Sequence, residues 1–261
     1  MYESAEIRTS EKYLQKIFTL VKGNACLLGG WAAHHIVNEN FEKATGRSYI
    51  GSRDIDIGFH IDKNWSEEQL RKSEFCTALK QLENMGFQPI SFRLAKDFNL
   101  ETGKELTPAE SAKLPLHEIL RLYADPIVDY IHPRIKPLLG FVPIDEPLLS
   151  LVFTKKLSIT TKLFETNVVM PQTHVLLAMK LNSVINRDKE DKRIKDIADI
   201  YALLWHSDTK ITQLKNQLYS IYPPEKARET TQAFTETEIQ NVSKNIGVDT
   251  QEITRVLTEL R

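Results

Sequence analysis

Cysteine is scarce in this chain: 261 residues contain two, Cys26 and Cys76. One pair is no disulfide framework, and no CxxC or Cys/His spacing suggests zinc. Both sit in apolar surroundings, so buried, reduced thiols are expected. With 10 glycines and 11 prolines, low-complexity and collagen-like chains are excluded. No apolar run approaches the ~18 residues of a membrane span. The opening stretch MYESAEIRTSEKYLQKIF lacks the apolar core of a signal peptide. The expectation is a cytoplasmic protein with no membrane partner. An excess of either charge is also missing, because 34 Lys and Arg face 35 Asp and Glu. That balance excludes a basic nucleic-acid coat protein and an acidic disordered tail, and it leaves room for a local basic patch.

Apolar spacing then predicts the elements. Residues 1–22 read as an amphipathic helix, with Tyr13, Ile17, Leu20 and Val21 on one stripe. A short apolar run, Ala25 to Leu28, meets Gly29-Gly30 and continues as a helix through Ala33, Ile36, Val37 and Phe41. RDIDIGFHID alternates with period two, placing Ile55, Ile57 and Phe59 on one face and Asp54, Asp56 and Gly58 on the other. Residues 66–85 predict one helix, capped by Ser66 and stopped at Gly86. PISFRLA and IVDYIHP read as strands, and 96–116 as a polar loop. Pro171 opens a long helix, and RIKDIADIYALLWH forms another. Residues 210–261 read as three short helices. Near their end Gly247 stands in a turn and Asp249 caps a helix. The chain is therefore mixed α/β to about residue 160 and nearly all helical after it.

Asp54 and Asp56 share one strand face, and paired carboxylates need a cation, a proton or a hydrogen-bond net. Mg²⁺ is held by one or two carboxylates plus substrate phosphates. An edge strand with a solvated acidic face would carry the same pair. Gly29-Gly30 lets the backbone approach a ligand, and the following helix N-terminus offers N–H groups to a phosphate. A tight turn chosen for geometry alone would also use two glycines. Ser52 adds a hydroxyl near the same end, or caps a loop. In IVDYIHP, Asp129 is an acid between apolar residues of a strand-like run, set against an edge-strand acid paired to Arg121 or Arg134. Asp125 is its rival, but it precedes Pro126 and reads as a turn. His132 reads as structural.

LLGGWAAHHI followed by GSRDIDIGF resembles the nucleotidyltransferase superfamily with the polymerase-beta-like fold. The spacing from Gly30 to Asp54 is similar to the AbiEii toxin-like branch. There an Arg often stands two residues before the Ser, a place held here by Ile50, with Arg47 and Arg53 nearby. The resemblance implies an α+β fold: a small mixed nucleotidyltransferase-type sheet with flanking helices in residues 1–160, and a helical domain in 161–261. It implies a Mg²⁺-dependent transferase that moves a nucleoside monophosphate from an NTP to an acceptor. Asp54, Asp56 and Asp129 would be catalytic and would hold one or two Mg²⁺. Gly29, Gly30, Ser52 and Arg53 would bind the nucleotide. The acceptor would be tRNA or another RNA, a protein or a small molecule. A toxin role with an antitoxin partner is also implied.

In the helical half, Lys180 lies in the otherwise apolar HVLLAMKLNSV, where a lysine must snorkel, pair or meet an anion. The resemblance makes it a catalytic contact to the triphosphate, followed by the nucleotide-binding segment Lys195, Asp196 and Asp199. Read independently, Lys192, Lys195, Asp196 and Asp199 fall opposite the stripe of Ile194, Ile197, Ala198 and Tyr201. That face is either solvated or turned to a cleft, with Asp196 ordering Lys180 or the substrate. The alternative to an enzyme is a non-catalytic module on the same fold that binds a nucleotide or a partner.

Overall fold

A computed structural model of the chain describes residues 4–21 and 25–261, so the ends of the expected first helix, 1–3 and 22, lie outside the described residues. Its elements run α1 (Ser4–Leu20), β1 (Ala25–Leu27), α2 (Gly29–Thr45), β2 (Ile55–Phe59), α3 (Glu67–Arg71), α4 (Glu74–Asn84), β3 (Gln88–Ile90), β4 (Arg93–Asn99), β5 (Glu105–Leu106) and α5 (Pro108–Ser111). They continue with β6 (Ile119–Val128), α6 (Ile135–Leu139), β7 (Ile144–Asp145), α7 (Leu149–Thr154), β8 (Ser158–Leu163) and β9 (Thr166–Pro171). The remaining helices are α8 (Thr173–Ile185), α9 (Glu190–His206), α10 (Ile211–Tyr219), α11 (Pro224–Gln232), α12 (Glu236–Ile246) and α13 (Thr250–Thr258). The fold is α+β. Two compact units divide it: Tyr2–Leu28 with Ser52–Met170, and Gly29–Gly51 with Pro171–Arg261.

The first unit is built on a mixed sheet in the order β3-β4-β6-β2-β1-β9-β8, with β5 added to β4 and β7 to β6. β2 lies at its centre because Ile55, Ile57 and Phe59 are buried at period two. It pairs antiparallel to β1 and parallel to β6. Helices flank the sheet. Tyr13 of α1 packs edge-on against Phe87 and Phe98, and Phe75 of α4 against Phe59. Both cysteines are buried and unbridged in this unit.

Several expectations change. The helix predicted over 66–85 is two helices, because Ser73 accepts from the Cys76 N–H and starts α4. Ser66 does cap α3, in a capping box with Gln69. The loop expected over 96–116 contains the end of β4, then β5 and α5. β6 begins eight residues before the expected IVDYIHP strand and ends at Val128, so Asp125 and Pro126 lie inside a strand rather than a turn. Pro126 is tolerated because β4 pairing ends at Ala124 and β7 pairing begins at Ile127, which leaves that side of β6 locally an edge. Pro171 closes β9 rather than opening α8.

In the second unit α9 packs against α2, α8, α10, α12 and α13. Residues 210–261 hold four helices rather than three. Gly247 ends α12 in the left-handed region at φ 70°, and Asp249 caps α13 by accepting from the Gln251 N–H, both as expected.

Gly58 is the one position in β2 where a side chain has no room. A Cβ there would stand 2.7 Å from Leu28 Cδ1 and 2.9 Å from Leu149 Cδ2. Gly58→Ala should therefore destabilise the protein by about 1–3 kcal/mol in urea unfolding. In Gly58→Ala/Leu149→Ala the loss should be smaller than the sum of the single losses. Additive losses would show that the two positions do not meet.

Candidate functional site

Charge on the sheet gathers where β4, β6 and β2 lie side by side. The parallel register sets Asp56 opposite Asp125. One residue beyond the last β4–β6 pair, Leu94↔Ala124, Arg93 faces Asp125 from the other side. Arg93 grips Asp125 with both arms of its guanidinium: Nε donates to Oδ1 at 2.8 Å and Nη2 donates to Oδ2. Nη2 also donates to Asp54 Oδ2 at 3.2 Å. Its plane lies over the Tyr123 ring, 3.9 Å from the centroid. Burial alone would lower the Arg93 pKa, but Asp125 and Asp54 outweigh it and hold the pKa above its ordinary value. A planar fork suits this double hold better than a lysine point charge.

Arg53 adds to this network. Arg53 Nε stands 3.6 Å from Asp54 Oδ1, and its Nη1 stands 3.5 Å from Glu6 Oε1. Ser52 is buried beside them in sequence. The Leu28 N–H donates to the Asp56 carbonyl at 3.0 Å. Gly29 follows with φ 62°, a backbone conformation glycine adopts without strain, and opens α2. Gly30 is buried in the first turn of that helix.

Asp129 does not belong to this group. It lies four residues past Asp125, roughly 13 Å along the chain at ~3.3 Å per residue. Its Oδ1 accepts from the Ile61 N–H at 2.8 Å, and its Oδ2 accepts from His60 Nδ1 at 2.5 Å. Neither expected partner is the one found: Arg121 pairs instead with Asp97. Asp125, not Asp129, is the acid that β6 brings into register with Asp56, because the strand begins earlier than expected. Among the described residues, no three His, Cys, Asp or Glu side chains stand together as a ready metal cage.

The helical unit holds a second buried network. Lys180 Nζ lies 2.6 Å from Asp196 Oδ1 and 2.7 Å from Asp199 Oδ2. Ser183 Oγ and Arg187 Nε donate to Asp196 Oδ2 at 2.9 and 2.7 Å. Asp199 Oδ1 accepts from Tyr49 OH at 2.8 Å and from Lys195 Nζ. Lys195, Asp196 and Asp199 are all buried, so this face of α9 is not solvated. Lys180 pairs, as one of its three options required, and Asp196 orders it. Burial depresses the Lys180 pKa, but Asp196 and Asp199 more than reverse that. Burial wins at Lys195, whose pKa is lowered. Burial would raise the Asp196 carboxyl, yet Lys180 and Arg187 hold it down at about 2. Arg47 lies against Gly247 in this unit, where a Cβ would stand 2.5 Å from its Nη1.

Arg93 and Tyr49, with Glu6, Ser183 and Arg187, escaped the sequence reading, and Asp125 was set aside. Arg93 lay in a strand with no motif around it. Tyr49 lay in a polar loop. Asp125 was visible, and the extended bias of a residue before proline was the signal that could have kept it in the strand.

Removing one partner from the helical network leaves the others buried without compensation. Asp196→Asn should cost about 3–5 kcal/mol in denaturant unfolding at neutral pH. Folding lowers the pKa of this carboxyl, so its stabilisation is complete above the ordinary aspartate range. It is lost as pH falls through about 2. The gap between wild type and variant should therefore narrow from about pH 5 downward; a gap independent of pH would contradict the assignment.

No family model matches the chain, and no curated protein matches it. Among solved structures, one described as an antigenic nucleotidyltransferase-like protein from Paracoccidioides brasiliensis is similar over 99% of this chain and 94% of that one. The sequence identity is 13% and the TM-score 0.44.

Proposed function

We propose that the chain is a nucleotidyltransferase that moves a nucleoside monophosphate from an NTP to an acceptor hydroxyl, with Asp54, Asp56 and Asp125 as its carboxylates. The observation that carries this is the register of Asp56 against Asp125, with Asp54 and Asp125 sharing one guanidinium. Asp56 and Asp125 on adjacent strands, with Asp54 just before β2, offer hard oxygen donors that suit Mg²⁺, which needs only one or two carboxylates when phosphates supply the rest. Arg93 stands in this group as the cation that such a cluster requires. Asp54, Asp56 and Asp125 are the residues that would hold the metal, and Mg²⁺ bound there would offset triphosphate charge.

The chain's own residues take the remaining roles. Arg93 fixes the carboxylate plane of Asp125 with two bonds, and Arg53 sets a second positive charge near Asp54. Gly29 and Gly30, at the start of the 17-residue helix α2, offer backbone N–H groups to phosphate. Lys180, Lys195, Asp196 and Asp199 support this unit from within as an ion network. The implied AbiEii-like branch, the toxin role and the antitoxin partner belong to the same proposal, as do the RNA, protein and small-molecule acceptors.

A second reading has one observation in its favour. The double hold of Arg93 neutralises the carboxylates without a metal, as a nucleotide-binding module without chemistry would need.

One assay separates them. Labelled NTPs with Mg²⁺ and each acceptor class should yield a labelled acceptor and pyrophosphate. Asp54→Asn/Asp56→Asn and Asp125→Asn should each reduce the rate by roughly a hundredfold or more, with circular dichroism unchanged. NTP binding by calorimetry with no turnover on any acceptor would favour the binding module. Full activity in folded Asp125→Asn would remove that residue from the mechanism.

A further inference from the structure

Asp129, excluded from the acidic cluster, is the orienting half of a second constellation. His60 follows β2 and Asp129 follows β6, so the two strands deliver them side by side. Asp129 is buried and acts as an acceptor twice, from the Ile61 N–H at 2.8 Å and from the imidazole Nδ1 at 2.5 Å. That places a proton on Nδ1, so in the neutral ring Nε2 is the acceptor. A histidine held this way is pre-set in tautomer and ring plane.

His60 lines a cavity of about 380 Å³, within the range of small-ligand sites. The same wall carries Trp65, whose ring lies edge-on to the imidazole at 6.3 Å between centroids. Phe75, buried against Phe59, backs the cavity from the core. Gln69 also lines the cavity, and its amide is already directed. Oε1 accepts from the Ser66 N–H at 2.8 Å in the capping box, so the amide NH₂ is what remains to donate. The cavity thus combines a stacking surface, an acceptor on His60 and a donor on Gln69, with Lys72 and Glu74 also on its lining. An edge that donates one N–H and accepts one hydrogen bond, on a flat ring, complements that set. Nucleobases present such an edge and such a face, and proteins commonly take unpaired bases by stacking plus hydrogen bonds to it.

We propose that this cavity is a nucleobase-binding site, with Trp65 as the stacking platform, His60 as acceptor, Gln69 as donor and Asp129 as the residue that positions His60. Its place, four residues along β2 and β6 from Asp56 and Asp125, makes it separate from the acidic cluster. Gly58 lies between them on β2, with Leu28 and Leu149 over it. Base binding here does not depend on nucleotidyl transfer.

The test titrates the full chain with adenosine, guanosine, cytidine and uridine, which carry no phosphate, by saturation-transfer NMR and calorimetry. A parallel arm uses short single-stranded RNA. At least one nucleoside should bind wild type at millimolar concentration or below. Binding should weaken at least about fivefold in Trp65→Ala and in His60→Ala. Gln69→Glu keeps the capping box, so it should leave circular dichroism and Tm unchanged while weakening binding by a similar factor. Asp54→Asn/Asp56→Asn should bind nucleosides as wild type does. RNA that loses affinity in the same three variants would identify an RNA base as the source; RNA indifferent to them would leave free nucleosides and nucleotides as the ligands, with the site intact. The proposal is overturned if no nucleoside binds wild type, if all three variants bind equally well, or if indole binds as tightly as the best nucleoside. Nucleoside binding by a wild-type chain that transfers no nucleotide to any acceptor would refute the proposed function and not this site.

Discussion

The hold of Arg93 on Asp125 and Asp54 is the interaction on which the charged face of the sheet depends. Parallel pairing forces Asp56 and Asp125 to be neighbours, at the ~4.8 Å spacing of adjacent strands. Carboxylates that close, and partly withdrawn from water, would raise each other's pKa or separate. A guanidinium can meet one carboxylate with two parallel bonds and still reach a second, and its flat face can rest on Tyr123. Hence the negative charge of these acids is offset on a sheet whose other face is apolar.

The helical unit answers the same requirement differently. Lys180 is surrounded by apolar neighbours on α8, and burying its ammonium alone would cost several kcal/mol. Asp196 and Asp199, a helical turn apart on α9, both reach it, while Arg187, Lys195, Ser183 and Tyr49 complete their hydrogen bonding. The result is a network in which no member can be removed without stranding another. Its charge is consumed internally, which argues for a role in holding α8 and α9 together, and Tyr49 ties the loop after α2 to them.

Much of the fold could be read along the chain where a local rule decided the outcome. The alternation of Ile55, Ile57 and Phe59 specifies β2, and the glycine pair marks the start of α2. Ser66 with Gln69 caps α3, and Gly247 with Asp249 separates α12 from α13. Failures came where two local rules competed. Ser73 looked like an ordinary helical serine within 66–85, yet its hydroxyl offered the backbone a new N-cap. Asp125-Pro126 looked like a turn because proline cannot donate to a ladder. Only the way β4 stops and β7 begins on one side of β6 makes that missing N–H harmless.

The amino-acid sequence by itself determined which side chains were available for chemistry: the Asp54/Asp56 pair on one strand face, a glycine-led helix start, and a lysine in an apolar helix that had to find an anion. These follow from the periods of strand and helix, which are properties of the backbone. The tertiary structure alone decided the partners. It chose Asp125 over Asp129, brought in Arg93 and gave Asp129 to His60. It also turned the charged side of α9 inward. Such pairings are set by strand register and helix packing, where a shift of one residue changes every neighbour, and no local pattern encodes which distant residue will stand opposite.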